Sequence, residues 1–429
     1  MKRILFLLLA CVCAAAQNPP ARNVLFVKCG RLVYDAEKPP LSNAGLVITD
    51  GKITAMGTDV TAPAGAQTLD LSRDTILPGL IDAHIHLWTG GREIGTQPSP
   101  PLAALRASKS MAYALNSGVV AVRVLGSMDF IDVALGNAID EGLIPGPHVL
   151  PAGHALSIPA GHGDFLAMPY QFPLDSYYTP LHGFINSPAD AEKAVHLQIK
   201  YGAKVIKVLA SGGVLSPLDS PAAEQLSPEE LRVIVEQAHM QHLKVAAHDE
   251  NLPTIMVALQ AGVDSIEHGT ELDDAAINFM KQHHVFLVPT LYIADNIIKN
   301  GEKMKMPEYV VRKAKEIGFK QFASYKKALA AGVTIAAGSD QSYEPGKGTL
   351  LDEIITMVEM GMTPQQALDA ATRHSAELLG MDSLGTLETG KEGSFVAVEG
   401  DPLSNIQAIK QTRAVVFKGK VAENTAGAR

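Results

Sequence analysis

Hydrophobic and polar positions change their period along this chain. Residues 23–34 and 45–53 alternate apolar and polar side chains at period two, with the turn pair Asp50-Gly51 between apolar flanks. That pattern predicts short half-buried strands. The same texture returns at 394–399 and 413–420, separated by Gly400-Asp401-Pro402. Between these ends, short apolar runs alternate with amphipathic segments. Runs at 75–84, 119–125, 148–152, 203–209, 244–248, 265–267, 285–289 and 334–337 predict eight strands. Helix starts are marked by Ser227-Pro228-Glu229-Glu230 and Thr363-Pro364-Gln365-Gln366. Each places a cap residue, then proline at the first helical position, then Glu or Gln at the third.

Eight strands with helical crossovers predict an α/β fold, a (β/α)8 TIM barrel over 76–385. The strand-rich ends, 17–75 and 386–429, predict a small composite β-sandwich domain built from both termini. Two independent end caps are the alternative. A doubly wound open sheet ranks second to the barrel, because no Gly-x-Gly-x-x-Gly follows an early strand.

Composition narrows the class. A chain of 429 residues with 47% hydrophobic and 19% charged side chains is globular rather than disordered. A net charge of −9 argues against a nucleic-acid partner, which would need a basic surface. Lys2-Arg3, an apolar run over 4–12 and Ala14-Ala15-Ala16-Gln17 read as a signal peptide over 1–16. The run is shorter than the roughly 20 residues a membrane span requires, and no later segment reaches that length. The expectation is an exported protein, periplasmic or secreted, without a membrane span; a lipoprotein anchored through Cys11 ranks lower. Removal of the signal takes Cys11 and Cys13 with it, leaving Cys29, so an intramolecular disulfide is not expected.

In a barrel, chemistry sits at the C-terminal strand ends. The first predicted strand ends in His84-Ile85-His86, two imidazoles projecting on one side. The fifth ends in His248, the sixth in Glu267-His268, and the eighth in Gly338-Ser339-Asp340. The fourth, Val205-Ile206-Lys207-Val208-Leu209, carries a lysine inside an apolar run. A buried lysine is costly unless paired or neutralised, although it could instead point outward and snorkel between helices. A strand-end histidine is by itself more often a rim residue, and Asp340 alone could be a turn residue or a cap. Their coincidence on five strands is what points to a metal centre.

This set resembles the amidohydrolase superfamily, within it the group of metal-dependent Xaa-Pro dipeptidases (prolidases) and imidazolonepropionase-like proteins. The likeness covers nearly all of the chain after the signal. It rests on Leu77-Pro78-Gly79-Leu80-Ile81-Asp82-Ala83-His84-Ile85-His86, on Ile206-Lys207-Val208 with Ala210-Ser211-Gly212-Gly213, on His248, His268 and Asp340, and on Leu384-Gly385-Thr386-Leu387-Glu388-Thr389-Gly390-Lys391-Glu392. The resemblance implies metal ligands at His84, His86, Lys207, His248, His268 and Asp340. It further implies that CO2 carboxylates Lys207 and that two divalent ions are bound, with Zn suited to imidazole and carboxylate ligands. A metal-bridging hydroxide would attack the scissile carbonyl, with Asp340 as general base and then acid. His162, in Ala160-Gly161-His162-Gly163, takes a substrate-binding role by the same resemblance; a solvated loop histidine is the alternative. Three positions depart from the family pattern: Glu250 where a second histidine is common, Ala160 for a glycine, and Arg123-Val124 for an Arg-Asp pair.

The leading expectation is therefore a binuclear amidohydrolase cleaving an amide or peptide C–N bond. Its substrate would be a small molecule, a dipeptide or an N-acyl amino acid with a free carboxylate. A cyclic-amide hydrolase and a non-catalytic binding protein on the same scaffold are the alternatives. A mononuclear deaminase is disfavoured, since Asn251 stands where it would want glutamate. Residues 164–186 carry Phe165, Tyr170, Phe172, Tyr177, Tyr178 and Phe184, which predict either a lid over an apolar substrate or a contact within a homo-oligomer. The Lys-rich stretch 299–327 reads as a solvated helix surface.

Overall fold

The computed structural model describes residues 23–87, 98–164, 177–344 and 346–422. The expected signal over 1–16 and the aromatic residues Phe165, Tyr170 and Phe172 lie outside the described residues. Both described chain ends enter one seven-stranded sheet. Its strands are β1 (Val24–Leu32), β2 (Leu41–Thr49), β3 (Lys52–Gly57), β4 (Gln67–Pro78), β12 (Phe395–Glu399), β13 (Thr412–Phe417) and β14 (Lys420–Val421), in the order β14-β13-β12-β4-β1-β2-β3. Asp50 and Gly51 join β2 to β3 with φ of 49° and 83°. Positive φ at both central residues matches the right-handed twist of the flanking strands. Leu25, Val27, Cys29, Leu46, Ile48, Phe395 and Val416 interdigitate as the core of this sheet.

Two parallel sheets make up the middle of the chain. One contains β5 (Leu80–Ile85), β6 (Val119–Val124) and β7 (His148–Pro151). The other contains β8 (Val205–Leu209), β9 (Lys244–Asp249), β10 (Ser265–His268) and β11 (Phe286–Val288). Every residue of β5, β6 and β8 is buried. Burial on both faces explains why these runs read as continuously apolar rather than alternating. The covering helices are α1 (Pro100–Asn116), α2 (Ile131–Asp140), α3 (Pro188–Lys200), α4 (Pro228–Met240), α5 (Leu252–Ala261), α6 (Asp274–His283), α7 (Leu291–Asn300), α8 (Glu308–Ala331), α9 (Leu350–Glu359), α10 (Pro364–Ala370) and α11 (Arg373–Leu379). Both expected capping boxes are present, Ser227 with Glu230 on α4 and Thr363 with Gln366 on α10.

The two sheets are also bonded to each other. On one side Leu156 bridges Val208 in parallel, and the Lys204 N–H donates to Pro151 O at 2.7 Å. On the other, the segment 334–337 forms a single parallel bridge, Leu287 with Ile335, instead of the expected strand. The Ala83 N–H then donates to Ala337 O at 2.9 Å, and the Asp340 N–H to His84 O at 2.8 Å. Small residues make this passage: a Cβ on Gly338 would lie 2.5 Å from Val288 and 2.6 Å from the His84 Cβ.

The run 75–84, expected as one strand, is divided at Gly79. The Gly79 N–H donates to Ser394 O just before β12 of the seven-stranded sheet, while the next N–H, of Leu80, donates to Gly118 O beside β6. A side chain at 79 would collide with the Val120 methyls, so glycine lets the chain change sheets within one residue.

Candidate active site

The C-terminal ends of the parallel strands converge on a row of imidazoles. Ring centroids step 5.1 Å from His86 to His84, 5.3 Å to His268, 4.6 Å to His248 and 4.2 Å to His162. Ligating atoms of His84, His268 and Asp340 all lie within 4.8 Å of one another. Asp340 Oδ1 is 3.3 Å from His86 Nε2 and 3.6 Å from His84 Nε2. His84 Nε2 and His86 Nε2 are themselves 3.2 Å apart.

Buried neighbours orient these rings. The Glu267 carboxylate accepts from Arg123 (2.8 Å) and Ser265 Oγ (2.5 Å) on one oxygen and contacts His84 Nδ1 at 2.7 Å with the other. A carboxylate can only accept, so His84 is protonated at Nδ1 and its lone pair sits on Nε2, on the side of His86 and Asp340. His268 Nδ1 contacts Thr290 Oγ1 at 2.7 Å. His248 Nε2–H donates to Gly212 O at 3.2 Å. His268, Thr290 and Asp340 have φ of 71°, 47° and 52°, a left-handed conformation uncommon outside glycine. Three such residues at adjacent strand ends mark a constrained site rather than a relaxed rim.

Lys207 faces inward. Its side chain is 1% exposed, and Nζ is buried with no hydrogen-bond partner among the described residues. Burial brings its pKa down to about 8, against the opposing pull of Glu267 and Asp340. Burial likewise raises Asp340 to about 7, although Lys207 works against it. Burial, followed by the charge of Lys207, lowers His86 to about 3 and holds His84 well below the usual imidazole range. The rings are therefore neutral at physiological pH, the form in which histidine donates a lone pair.

These groups open into a cavity of about 210 Å³. His86, His162, Lys207, His248, His268 and Asp340 are among its lining residues. Val214, Leu215, Ile293 and Ile297 pack in one apolar cluster of its lining, Ile317 also lines it, and His154, His182, Tyr177 and Phe184 form a chain of ring contacts in it. Glu250 also lines it, accepts from Thr270 Oγ1, and is raised to about 7 by burial. Of the aromatic stretch, Tyr177 and Phe184 reach the cavity, while the Tyr178 hydroxyl donates to Asp164 at 2.8 Å.

Several residues orient the site in roles that were not read from sequence. Arg123 donates to Ala83 O at 2.5 Å and to Glu267, joining β5, β6 and β10. Asp82 accepts from Ser339 Oγ (2.6 Å) and Tyr343 Oη (2.7 Å), holding the turn that presents Asp340. Asp82 carried a readable signal: a carboxylate inside an apolar strand, at period two from His84 and His86.

A match to the amidohydrolase family spans residues 75–422. Over 413 residues, 90% of this chain and 84% of the relative, the sequence is 35% identical to ochratoxinase of Aspergillus niger. An imidazolonepropionase of Pseudomonas fluorescens is 26% identical over 385 residues, covering 83% of this chain and 88% of the relative. A crystal structure of a Xaa-Pro dipeptidase with methionine bound in its active site superposes with a TM-score of 0.86 at 30% identity, covering 93% of this chain and 99% of that one.

Proposed function

The chain belongs to the amidohydrolase family and is a hydrolase of carbon–nitrogen bonds; from that premise we propose a two-metal hydrolase of dipeptides or N-acyl amino acids that bear a free carboxylate. The observation that carries the two-metal reading is Lys207. A lysine Nζ buried on a strand with no hydrogen-bond partner among the described residues is a standing cost of several kcal/mol. Reaction of its neutral amine with CO2 forms an N–C bond and releases one N–H proton to solvent; it removes that cost, because the resulting carbamate is an anionic oxygen donor among groups suited to a cation.

In this reading His84, His86, Lys207, His248, His268 and Asp340 hold two divalent ions, with Zn²⁺ preferred by the imidazole-rich set. Such ions, when bound, polarise a carbonyl and acidify water. The rest of the chemistry belongs to the chain. Glu267 fixes the His84 tautomer and Asp82 braces the turn carrying Asp340. The Asp340 carboxylate accepts the proton of the attacking water and returns it to the leaving nitrogen. His162 meets the substrate from the cavity wall.

The wall of Val214, Leu215, Ile293, Ile297 and Ile317 favours an apolar group on one side of the scissile bond, and His154, His182 and Tyr177 offer hydrogen bonds to a polar end. The names of the relatives, ochratoxinase and Xaa-Pro dipeptidase, point the same way. The architecture in this reading is a (β/α)8 barrel over 76–385, with 334–337 as its eighth strand, and a β-domain assembled from 17–75 and 386–429. The bonds at both seams between the parallel sheets support the barrel, and the sheet shared by both chain ends supports the composite domain.

Protein produced with bicarbonate and Zn²⁺ should carry two metal ions per chain by elemental analysis. It should also hydrolyse members of a panel of dipeptides, N-acyl amino acids and cyclic amides. Fewer than one ion per chain refutes the two-metal reading. Asp340→Asn should lower kcat by about 10²–10⁴-fold, the range for a general acid–base group; unchanged turnover removes Asp340 from the proton transfer.

A further inference from the structure

The stretch 299–327 is mostly the solvated lysine surface its composition suggests, with one exception. Lys313, on α8, is 7% exposed. Its Nζ donates to Gly213 O at 3.0 Å, Ser216 O at 2.8 Å and Asp219 Oδ1 at 3.2 Å, all in the loop that follows β8. Asp219 is filled from every side. Oδ1 takes Ser216 Oγ–H as well as Lys313, and Oδ2 takes the Gly213 N–H at 3.1 Å and Gln225 Nε2 at 3.0 Å.

The chain of contacts ends on a cavity residue. Ser216 Oγ lies 2.8 Å from His162 Nδ1. Since Ser216 gives its proton to the Asp219 carboxylate, it can only accept from His162, which requires the proton of His162 on Nδ1. Gln225 Oε1 accepts the His162 N–H at 3.0 Å, so the residue that braces Asp219 also anchors the His162 backbone. A Cβ on Gly213 would collide with the imidazole, so the glycine is the floor on which this ring lies. The ring also stacks against His248, with centroids 4.2 Å apart.

We infer that Lys313, Asp219 and Ser216 are positioning residues that fix both the tautomer and the orientation of His162 against the cavity. The inference rests on the proposed amide-hydrolase reading only for the effect on turnover. A lysine that only braced this loop would stabilise the fold without changing how His162 meets substrate. The relay instead makes a distant helix part of how substrate is held.

Two measurements test it. In protein labelled with ¹⁵N-histidine, the resonances lost in His162→Asn identify its ring. Wild type should show Nδ1 protonated, and Ser216→Ala, which deletes one oxygen, should move the ring toward the other tautomer. An unchanged His162 spectrum in Ser216→Ala overturns the inference, whether or not any amide is cleaved. The second measurement is a cycle on kcat/KM for the best substrate of the panel. Lys313→Met should cost at least about tenfold in the wild-type background and less than about twofold when His162 is already asparagine. Equal losses in both backgrounds, in a variant whose thermal unfolding is preserved, assign Lys313 a purely structural role and overturn the relay. Should Lys313→Met not fold, Asp219→Asn takes its place in the cycle with the same two outcomes.

Discussion

Replacement of Arg123 by methionine probes the frame of the site. Arg123 is 1% exposed, and its guanidinium makes three bonds, to Ala83 O at 2.5 Å, Ser265 Oγ at 3.1 Å and Glu267 Oε1 at 2.8 Å. Bonds of this charged kind are worth about 1.5–3 kcal/mol each, so a simple sum would reach about 4.5–9 kcal/mol. That sum overshoots, because methionine fills much of the volume and Ser265 continues to donate to Glu267. Most of the loss comes from the Glu267 carboxylate, 0% exposed, left without its cation. Breaking one side of a buried pair costs about 3–5 kcal/mol, and that is the expected loss in urea unfolding followed by circular dichroism. The sign of the second substitution is the sharper check. Arg123→Met combined with Glu267→Gln removes the orphaned charge while an amide oxygen can still accept from His84 Nδ1, so the double variant should recover about 1–2 kcal/mol over the single. A loss below about 1 kcal/mol in Arg123→Met refutes the reasoning. So does a double variant less stable than Arg123→Met.

Three further outcomes are expected elsewhere in the chain. Burial raises the Asp132 carboxyl to about 6, although it accepts from the N–H groups of Gly153 at 2.8 Å and Val133 at 2.9 Å. Because its folded pKa lies above the unfolded value of 3.8, the associated stability is complete below about pH 3.8 and lost as pH rises through about 6, by about 3 kcal/mol. Asp132→Asn should remove that slope between pH 4 and 7 in denaturant titrations, and an identical slope in wild type and variant would contradict the assignment. Cys29 is 1% exposed and burial pushes its thiol up to about 12, so protein beginning at Gln17 should show no reaction with a disulfide reagent until unfolded. If 1–16 is an export signal, mass spectrometry of the secreted or periplasmic protein should find Gln17 as its first residue, and an intact Met1 would argue against it.

What could be read from the chain and what could not follow a physical division. The caps at Ser227 and Thr363 are local, since each satisfies backbone donors within three residues, and both appear in the structure. The family motifs were equally legible, because His84-Ile85-His86 breaks the apolar code where a strand ends and Lys207 breaks it inside Val205-Ile206-Lys207-Val208-Leu209. The division at Gly79 was hidden: Leu77-Pro78-Gly79-Leu80-Ile81 is apolar throughout, and apolarity says that a residue is buried without saying against which sheet. Lys313 was hidden more deeply. Among the lysines of its own stretch nothing distinguishes it, and its acceptors Gly213, Ser216 and Asp219 lie 94 to 100 residues away. Glu267 and Arg123 show the same limit, for a charge in a buried strand announces a partner but does not name it. The site therefore divides into two kinds of residue. Those that face the cavity could be found where they interrupt a local pattern. Those that hold them in place, Arg123, Asp82, Thr290 and Asp219, are defined by pairings across the fold, and perturbing them is the more demanding test of whether the arrangement is built for catalysis.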